Sequence, residues 1–156
     1  MGTIKREATT ETVGSGYPAP FHEQCIGRVR RQLSDAAGLT QFGVNTLRLP
    51  PGVWSSQRHW HESGDEFVYV LEGEATLVTD AGAEVMRVGD SAGFKAGVKD
   101  GHCVQNRSNA DVVLLVVGTR CEHEYGEYSD IDMTFTDSPS GTVFARKDGT
   151  RYPPRR

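Results

Sequence analysis

The sequence lacks a long apolar run. Its longest, at residues 112–117, has only the length of a β-strand, whereas a membrane-spanning helix needs about 20 predominantly apolar residues. The polar segment at residues 1–16 also lacks the apolar stretch of a secretory signal. These absences predict a cytoplasmic protein with no membrane partner.

Cysteine is scarce, and positive charge is not in excess. The three cysteines, Cys25, Cys103 and Cys121, cannot all pair within one chain, and no Cys-x-x-Cys pair is present to hold zinc. We therefore expect reduced thiols. The formal net charge of -4 argues against nucleic acid as the main partner. The sequence also has no Gly-x-Ser-x-Gly elbow and no dinucleotide-binding loop, which argues against serine-nucleophile and nicotinamide chemistry.

Turn-forming residues are abundant, with 18 glycines and 7 prolines in 156 residues. From residue 40 onward, short strand-like runs recur about every 8–12 residues with turn signals between them, a rhythm that predicts an all-β domain. We divide the chain into a flexible amino-terminal arm (1–18), a single domain (19–145) and a basic carboxy-terminal tail (146–156). The pattern from Gln24 to Leu33 fits a short helix or a strand equally well.

The segment around His59-Trp60-His61 carries the first chemical signal. In a strand, residues two apart lie on the same face, so both imidazoles point to one side about 7 Å apart along the chain. Glu66 follows after the turn-like residues 62–65, and a hairpin there would bring its carboxylate to the same face. Two imidazoles and a carboxylate at one point suit a divalent transition metal.

A second segment, residues 89–106, supplies a fourth group. His102 and Asn106 share strand parity, so Asn106 is expected to face the same side and to hydrogen-bond within or near the site. The glycines before His102 provide the turns that return this strand over the first one.

Together these two segments resemble the paired motifs of the cupin superfamily. The residues that match are His59, His61, Glu66 and Gly73 in the first motif, and Gly89, Gly97, His102 and Asn106 in the second. The sequence departs from the motifs in two loop lengths and in Lys95, which stands where proline is usual. The resemblance covers about residues 40–120 and implies an all-β jelly-roll β-barrel.

The resemblance implies that His59, His61, Glu66 and His102 are the metal ligands. Similar proteins hold Fe, Mn, Ni, Zn or Cu, and mixed nitrogen and oxygen ligands do not select among these ions. Four protein ligands leave an octahedral ion two open positions for water, oxygen or substrate. A tetrahedral zinc ion would instead be nearly closed and structural.

Charge arithmetic indicates an anionic substrate. Three neutral imidazoles, one carboxylate and a divalent ion leave a net charge of about +1, which a low-dielectric interior amplifies. Arg58, Lys95 and Lys99 flank the ligand segments and are candidates for further positive charge, although each is individually more typical of a solvated surface. Asn106 completes the residues predicted to lie beside substrate or ligands.

Four apolar residues are expected to face away from the barrel interior because their strand parity is opposite to that of the ligands: Trp60, Phe67, Tyr69 and Leu71. An apolar outer face must be covered. The terminal segments of the chain or a second copy in a homodimer would cover this face equally well.

Two functions fit these residues. The first is a metal-dependent enzyme acting on a small, anionic organic molecule by isomerase, lyase, decarboxylase or dioxygenase chemistry. The alternative is a non-catalytic module that binds a metabolite or a metal ion. No general base can be named, and His123 is only a secondary candidate for contact with the substrate.

Overall fold

The computed structural model describes residues 2–153. Within this range all regular structure except two 3₁₀ turns, at Arg6–Ala8 and Glu23–Cys25, is β-strand, which confirms the all-β prediction. The strands are β1 (Thr10–Val13), β2 (Val29–Gln32), β3 (Phe42–Leu49), β4 (His59–His61), β5 (Glu66–Glu72), β6 (Glu74–Thr79), β7 (Gly82–Arg87), β8 (Ser91–Phe94), β9 (Cys103–Gln105), β10 (Val112–Thr119), β11 (Glu124–Tyr128), β12 (Thr134–Ser138) and β13 (Gly141–Ala145).

The strands form three antiparallel sheets. The largest has the order β1-β2-β3-β10-β5-β8, and the two smaller sheets have the orders β13-β12-β11-β4 and β7-β6-β9. The long strand β10 lies near the middle of the largest sheet, paired with β3 on one side and with β5 on the other. Its apolar sequence fits this position, because β10 contributes Val112 and Leu114 to the buried core.

Of two isolated bridges, one joins the smaller sheets and the other attaches the segment before β4 to β9. His59 and His102 exchange a reciprocal pair of backbone hydrogen bonds, 3.1 Å from His59 N to His102 O and 2.9 Å from His102 N to His59 O. Trp54 and Gln105 form the second bridge. The first bridge therefore places two of the predicted ligands at the seam between β4 and β9.

Apolar side chains fill the space between the layers in two clusters. The larger consists of the buried residues Leu47, Leu49, Val68, Val70, Ala75, Met86, Val104, Val112 and Leu114. The smaller lies beside β11 and β12 and contains Tyr17, Cys25, Tyr128, Met133 and Phe135. All three cysteines are free thiols.

The ambiguous stretch Gln24–Leu33 forms the end of a 3₁₀ turn and then β2. Within the predicted amino-terminal arm, Thr10–Val13 forms β1, which pairs along its length with β2. Within the predicted carboxy-terminal tail, Arg151 bridges to Ala145. Residue 1 of the arm and residues 154–156 of the tail lie outside the described residues.

Of the four side chains predicted to face outward, Trp60 is covered by the chain itself. It is only 6% exposed and packs against Tyr125, with Lys99 over its ring. Phe67 and Leu71 are 42% and 40% exposed. The homodimer that would cover them stays a prediction. No helix among residues 2–153 is long and apolar enough to cross a membrane.

Gly126 occupies a position that admits no side chain. It lies opposite His61 in the pairing of β11 with β4, and an added Cβ would collide with the Trp60 carbonyl oxygen and the Phe135 ring. The strand that carries His59 and His61 can approach β11 this closely only because residue 126 is glycine.

Replacing Gly126 by alanine should therefore displace β4 or the Phe135 ring. We expect Gly126→Ala to lower the free energy of unfolding by about 1–3 kcal/mol, the usual cost of overpacking. Gly93→Ala is the matched control, because an added Cβ on β8 would meet its nearest atom at 4.0 Å, and we expect a change within about 0.5 kcal/mol. Urea denaturation of both variants tests this, and equal midpoints would contradict it.

Candidate metal site

The structure brings together the four residues predicted as metal ligands. His59 and His61 lie on β4, Glu66 begins β5, and His102 immediately precedes β9. One ligand atom from each lies within 4.8 Å of the others. Each of the three sheets contributes, because β4, β5 and β9 belong to different sheets.

The separations between donor atoms suit a single ion. His59 Nε2 is 3.1 Å from His61 Nε2, His61 Nε2 is 3.3 Å from a Glu66 carboxylate oxygen, and His102 Nε2 is 3.7 Å from the same oxygen. Two atoms each about 2.1 Å from one transition-metal ion are about 3.0 Å apart at a right angle and farther apart at wider angles. The cluster is thus close to the size of a coordination shell.

His102 provides an independent test of whether a metal fits. Its side chain is buried, and neither ring nitrogen has a hydrogen-bond partner among the described residues. Buried polar atoms are almost always partnered, because an unpartnered one costs about 1–3 kcal/mol. A bound ion would partner Nε2, so the residues present fit a metal.

The protonation state of His59 also suits a ligand. Its Nδ1 lies 2.9 Å from the Gln57 carbonyl oxygen and is assigned as the donor, which leaves the Nε2 lone pair directed at the cluster. Burial, together with the charges of His102 and His61, lowers the pKa of His59 to about 3. The imidazole is therefore neutral at pH 7, as a metal ligand must be.

Glu66 and His61 show that the cluster centre favours positive charge. Burial by itself would raise the pKa of Glu66, but the adjacent His102 and His61 side chains outweigh it and hold the pKa well below its usual range. Burial likewise would lower the pKa of His61, but the hydrogen bond and charge of Glu66 outweigh it and raise the pKa. A half-buried carboxylate thus draws a cation, whether a proton or a metal ion.

Glu124, which the sequence analysis did not single out, lies behind His61. It is buried at the start of β11, with Oε2 4.0 Å from His61 Nδ1, and its other oxygen, Oε1, accepts the backbone N–H groups of Ser63 and Tyr125. The neighbouring His123, the secondary candidate, is exposed. The pairing of β11 with β4 produces this contact, and no local pattern encodes that pairing.

Aromatic rings enclose the imidazoles. Phe94 stacks on His102 with ring centroids 3.6 Å apart, and Phe135 packs edge-on against His61 at 5.4 Å. Tyr128 lies 5.6 Å from His59. These rings fix the imidazole orientations and exclude water from one side of the site.

The cluster opens into a cavity of about 780 Å³, within the range that holds small organic ligands. Its wall carries three arginines that the sequence analysis did not identify, Arg28, Arg30 and Arg120. Tyr17 and Tyr128 also line it. Burial raises the pKa of Tyr17 to about 12, so its phenol stays protonated and able to donate a hydrogen bond.

The three cations predicted to flank the site do not line this cavity. Arg58 pairs with Asp130 at 2.7 Å and contacts the Gly101 carbonyl. Lys95 lies beside a separate shallow groove, and Lys99 lies over the Trp60 ring. All three residues lie in the connections outside the strands, so nearness in sequence to a ligand does not place them at the cavity.

Asn106 is also placed away from the cavity wall. Its amide donates to the carbonyl oxygens of Leu49 and Ala110, both at 2.7 Å, and its oxygen accepts the backbone and hydroxyl groups of Ser108. Both amide N–H groups and the amide oxygen are used in these bonds, which hold the turn after β9 against Leu49 of β3. The expected hydrogen bond within the site is therefore not formed.

A family model and several solved structures match this chain. The family model described as the cupin domain matches residues 45–118. A solved sugar phosphate isomerase of the cupin superfamily from Silicibacter pomeroyi is 45% identical, with 96% of this chain and 95% of that chain covered and a TM-score of 0.92. Comparison with curated protein sequences finds no match.

Two further solved structures share the fold. A protein from Acidithiobacillus ferrooxidans, provisionally assigned as a sugar phosphate isomerase, is 26% identical over 83% of this chain and 82% of that chain, with a TM-score of 0.73. A predicted oxalate decarboxylase from Thermotoga maritima is 20% identical over 77% and 100%, with a TM-score of 0.58. The matched motifs, the all-β architecture and the full-length likeness at 45% identity lead to one conclusion: this chain belongs to the cupin superfamily.

Proposed function

We propose that this protein is a metal-dependent isomerase that acts on a small sugar phosphate. The observation that carries the proposal is the cluster of three imidazoles and a carboxylate at the wall of a cavity of ligand size. Likeness over the full length to a protein described as a sugar phosphate isomerase supports the reaction and the substrate class.

The ligands would be His59, His61, Glu66 and His102. When bound, a divalent ion supplies Lewis-acid polarisation of a substrate carbonyl or hydroxyl oxygen. Four protein ligands leave room for such an oxygen on an octahedral ion. Fe, Mn, Ni, Zn and Cu all remain compatible with this donor set.

The chain's own residues would prepare the site for this chemistry. The Gln57 carbonyl holds the His59 tautomer, and Glu124 lies where it can orient His61. The protonated phenols of Tyr17 and Tyr128 can donate hydrogen bonds to substrate oxygens, since both line the cavity. Phe94 and Phe135 limit access of water to the imidazoles, which strengthens every electrostatic interaction there.

Elemental analysis tests the metal site. We expect protein purified without chelator to contain close to one transition-metal ion per chain, and the double variant His59→Ala, His102→Ala to lose it, because two of four donors are removed. His123→Ala is the matched control, since this histidine is exposed and outside the cluster. Circular dichroism checks that both variants fold. Metal retained in a folded double variant would contradict the assignment.

A second measurement tests the support from Glu124. Glu124→Gln should weaken metal binding roughly 10- to 100-fold, the usual effect of removing a carboxylate that orients a metal-bound histidine. Glu127→Gln, on the same strand but bonded to the Tyr125 hydroxyl, should leave affinity unchanged. Competition with a chromogenic chelator gives both affinities. Equal affinities would show that Glu124 does not act through His61.

Activity is tested by following aldose–ketose interconversion on a panel of sugar phosphates by NMR. We expect turnover of at least one member, loss of turnover with chelator and recovery when the metal is restored, because the four donors have no other assigned role. Binding of a panel member with no product, in metal-loaded protein, would instead favour the non-catalytic binding module.

A further inference from the structure

Two arginines at the start of β2, Arg28 and Arg30, lie on the cavity face of the largest sheet. Arg28 precedes the strand and Arg30 lies within it, and both line the cavity. Arg31, between Arg30 and Gln32, points to the opposite face, where it pairs with Glu11 of β1. Guanidinium groups therefore extend from both faces of this part of the sheet, and only one face lines the cavity.

These arginines differ in whether a carboxylate pairs with them. Arg31 is paired with Glu11, and the third cavity arginine, Arg120, is paired with Asp35. Among residues 2–153, neither Arg28 nor Arg30 has a carboxylate oxygen within 4.0 Å of a guanidinium nitrogen. Half-buried Arg28 and exposed Arg30 thus line the cavity without a carboxylate in direct contact, and Arg30 is accessible to an incoming anion.

Arg28 and Arg30 make hydrogen bonds only to neutral groups among the described residues, and these bonds leave some of their N–H donors unused. Arg28 donates to the Gly14 and Ser55 carbonyl oxygens and lies over the Tyr17 ring. Arg30 makes a single hydrogen bond, from Nε to the Asn45 amide oxygen at 3.1 Å. A guanidinium has five N–H donors, so the unused ones, all four terminal N–H groups of Arg30 included, are available to a ligand.

Desolvation of the guanidinium lowers the pKa of Arg30; the charges of Arg28 and Arg120 lower it further, and those of Asp35 and Glu66 oppose the shift. The like charges of Arg28 and Arg120 therefore repel that of Arg30, an exposed residue at the cavity wall. An anion placed among them would relieve this repulsion, and a tetrahedral oxyanion suits the planar fork of arginine because it accepts two parallel hydrogen bonds.

The balance of charge in the cavity agrees with a dianion. The three arginines that line it are balanced by three carboxylates, Asp35, Glu66 and Asp137. A divalent ion at the histidine cluster would leave two positive charges uncompensated. A phosphate monoester carries up to two negative charges at neutral pH.

The spacing also allows one small molecule to reach both groups. In the largest sheet, β3 and β10 separate β2 from β5, the strand of Glu66. Three strand spacings amount to about 14 Å, and the long arginine side chains shorten that gap within the cavity. A sugar of a few carbon atoms can lie between them.

We propose that Arg28 and Arg30 form a phosphoryl-binding subsite, separate from the metal ligands, that holds the phosphate end of the substrate while its other end faces His59, His61 and Glu66. The substrate class rests on the proposed function, but the anion subsite itself does not. Arg30 is the more informative of the two residues, because Arg28 also ties down the backbone at Gly14.

The test measures binding of inorganic phosphate to the metal-loaded full chain by calorimetry. Arg30→Gln should weaken binding at least about tenfold, because hydrogen bonds to charged groups are lost, and Arg30→Lys should recover part of it. Arg31→Gln is the matched control and should stay within about twofold. The metal is common to all these proteins, so a difference between them reports the arginines.

A second arm separates the phosphoryl group from the sugar. A pentose phosphate should lose affinity in Arg30→Gln as inorganic phosphate does, whereas the corresponding free pentose should bind both proteins alike. The double variant His59→Ala, His102→Ala should retain phosphate binding if it folds.

Three results would overturn the subsite: no phosphate binding by the wild-type chain, equal loss in Arg30→Gln and Arg31→Gln, or no loss in Arg30→Gln. None of these measurements requires turnover. Failure of the isomerase assay with phosphate binding lost only in Arg30→Gln would therefore remove the proposed reaction and leave the subsite standing.

Discussion

The reciprocal backbone hydrogen bonds between His59 and His102 are the constraint on which the site depends. They join the two smaller sheets, and the residues that make them are themselves two of the four donors. Glu66 then supplies the only charged donor of the cluster, from the opposite layer. Because every sheet contributes, the positions of the donors are set by the packing of the whole domain and not by one loop.

Such an arrangement has a cost. Glu66 and His102 bring a carboxylate and unpartnered ring nitrogens into a region walled by Phe94, Phe135 and Tyr128. In a low-dielectric environment this is destabilising unless a cation is present. The surrounding aromatic rings pack directly on the imidazoles, and the nearby apolar cluster of Leu49, Val70, Val112 and Leu114 provides compensating stability.

The sequence predicts which residues form the donor cluster, and strand parity places His59 and His61 on one face as expected. The hairpin expected to bring Glu66 to that face does not form, because β4 pairs with β11 whereas β5 pairs with β10 and β8. Packing between sheets brings Glu66 to the site instead. The all-β class followed from the turn rhythm. Metal binding by these residues remains a prediction, although the structure brings the donors together.

Features that depend on pairing between distant strands could not be predicted. Glu124 reaches His61 only through the register of β11 with β4. Arg28 and Arg30 lay in the stretch Gln24–Leu33, where the pattern left helix and strand open, and only a strand places both on one face. Arg58, Lys95 and Lys99 were chosen for nearness in sequence, but they lie in the connections between strands, which carry them away from the cavity.

The amino-terminal segment forms part of the cavity wall, which its polar composition does not predict. Gly16 and Tyr17 belong to the wall, and Arg28 holds the Gly14 carbonyl beside them. A chain shortened to begin after these residues would keep all four donor residues yet lose one side of the cavity wall. It would also lose the ring that packs against Tyr128, which itself lies beside His59, so the amino-terminal segment connects the ligand cavity to the donor cluster.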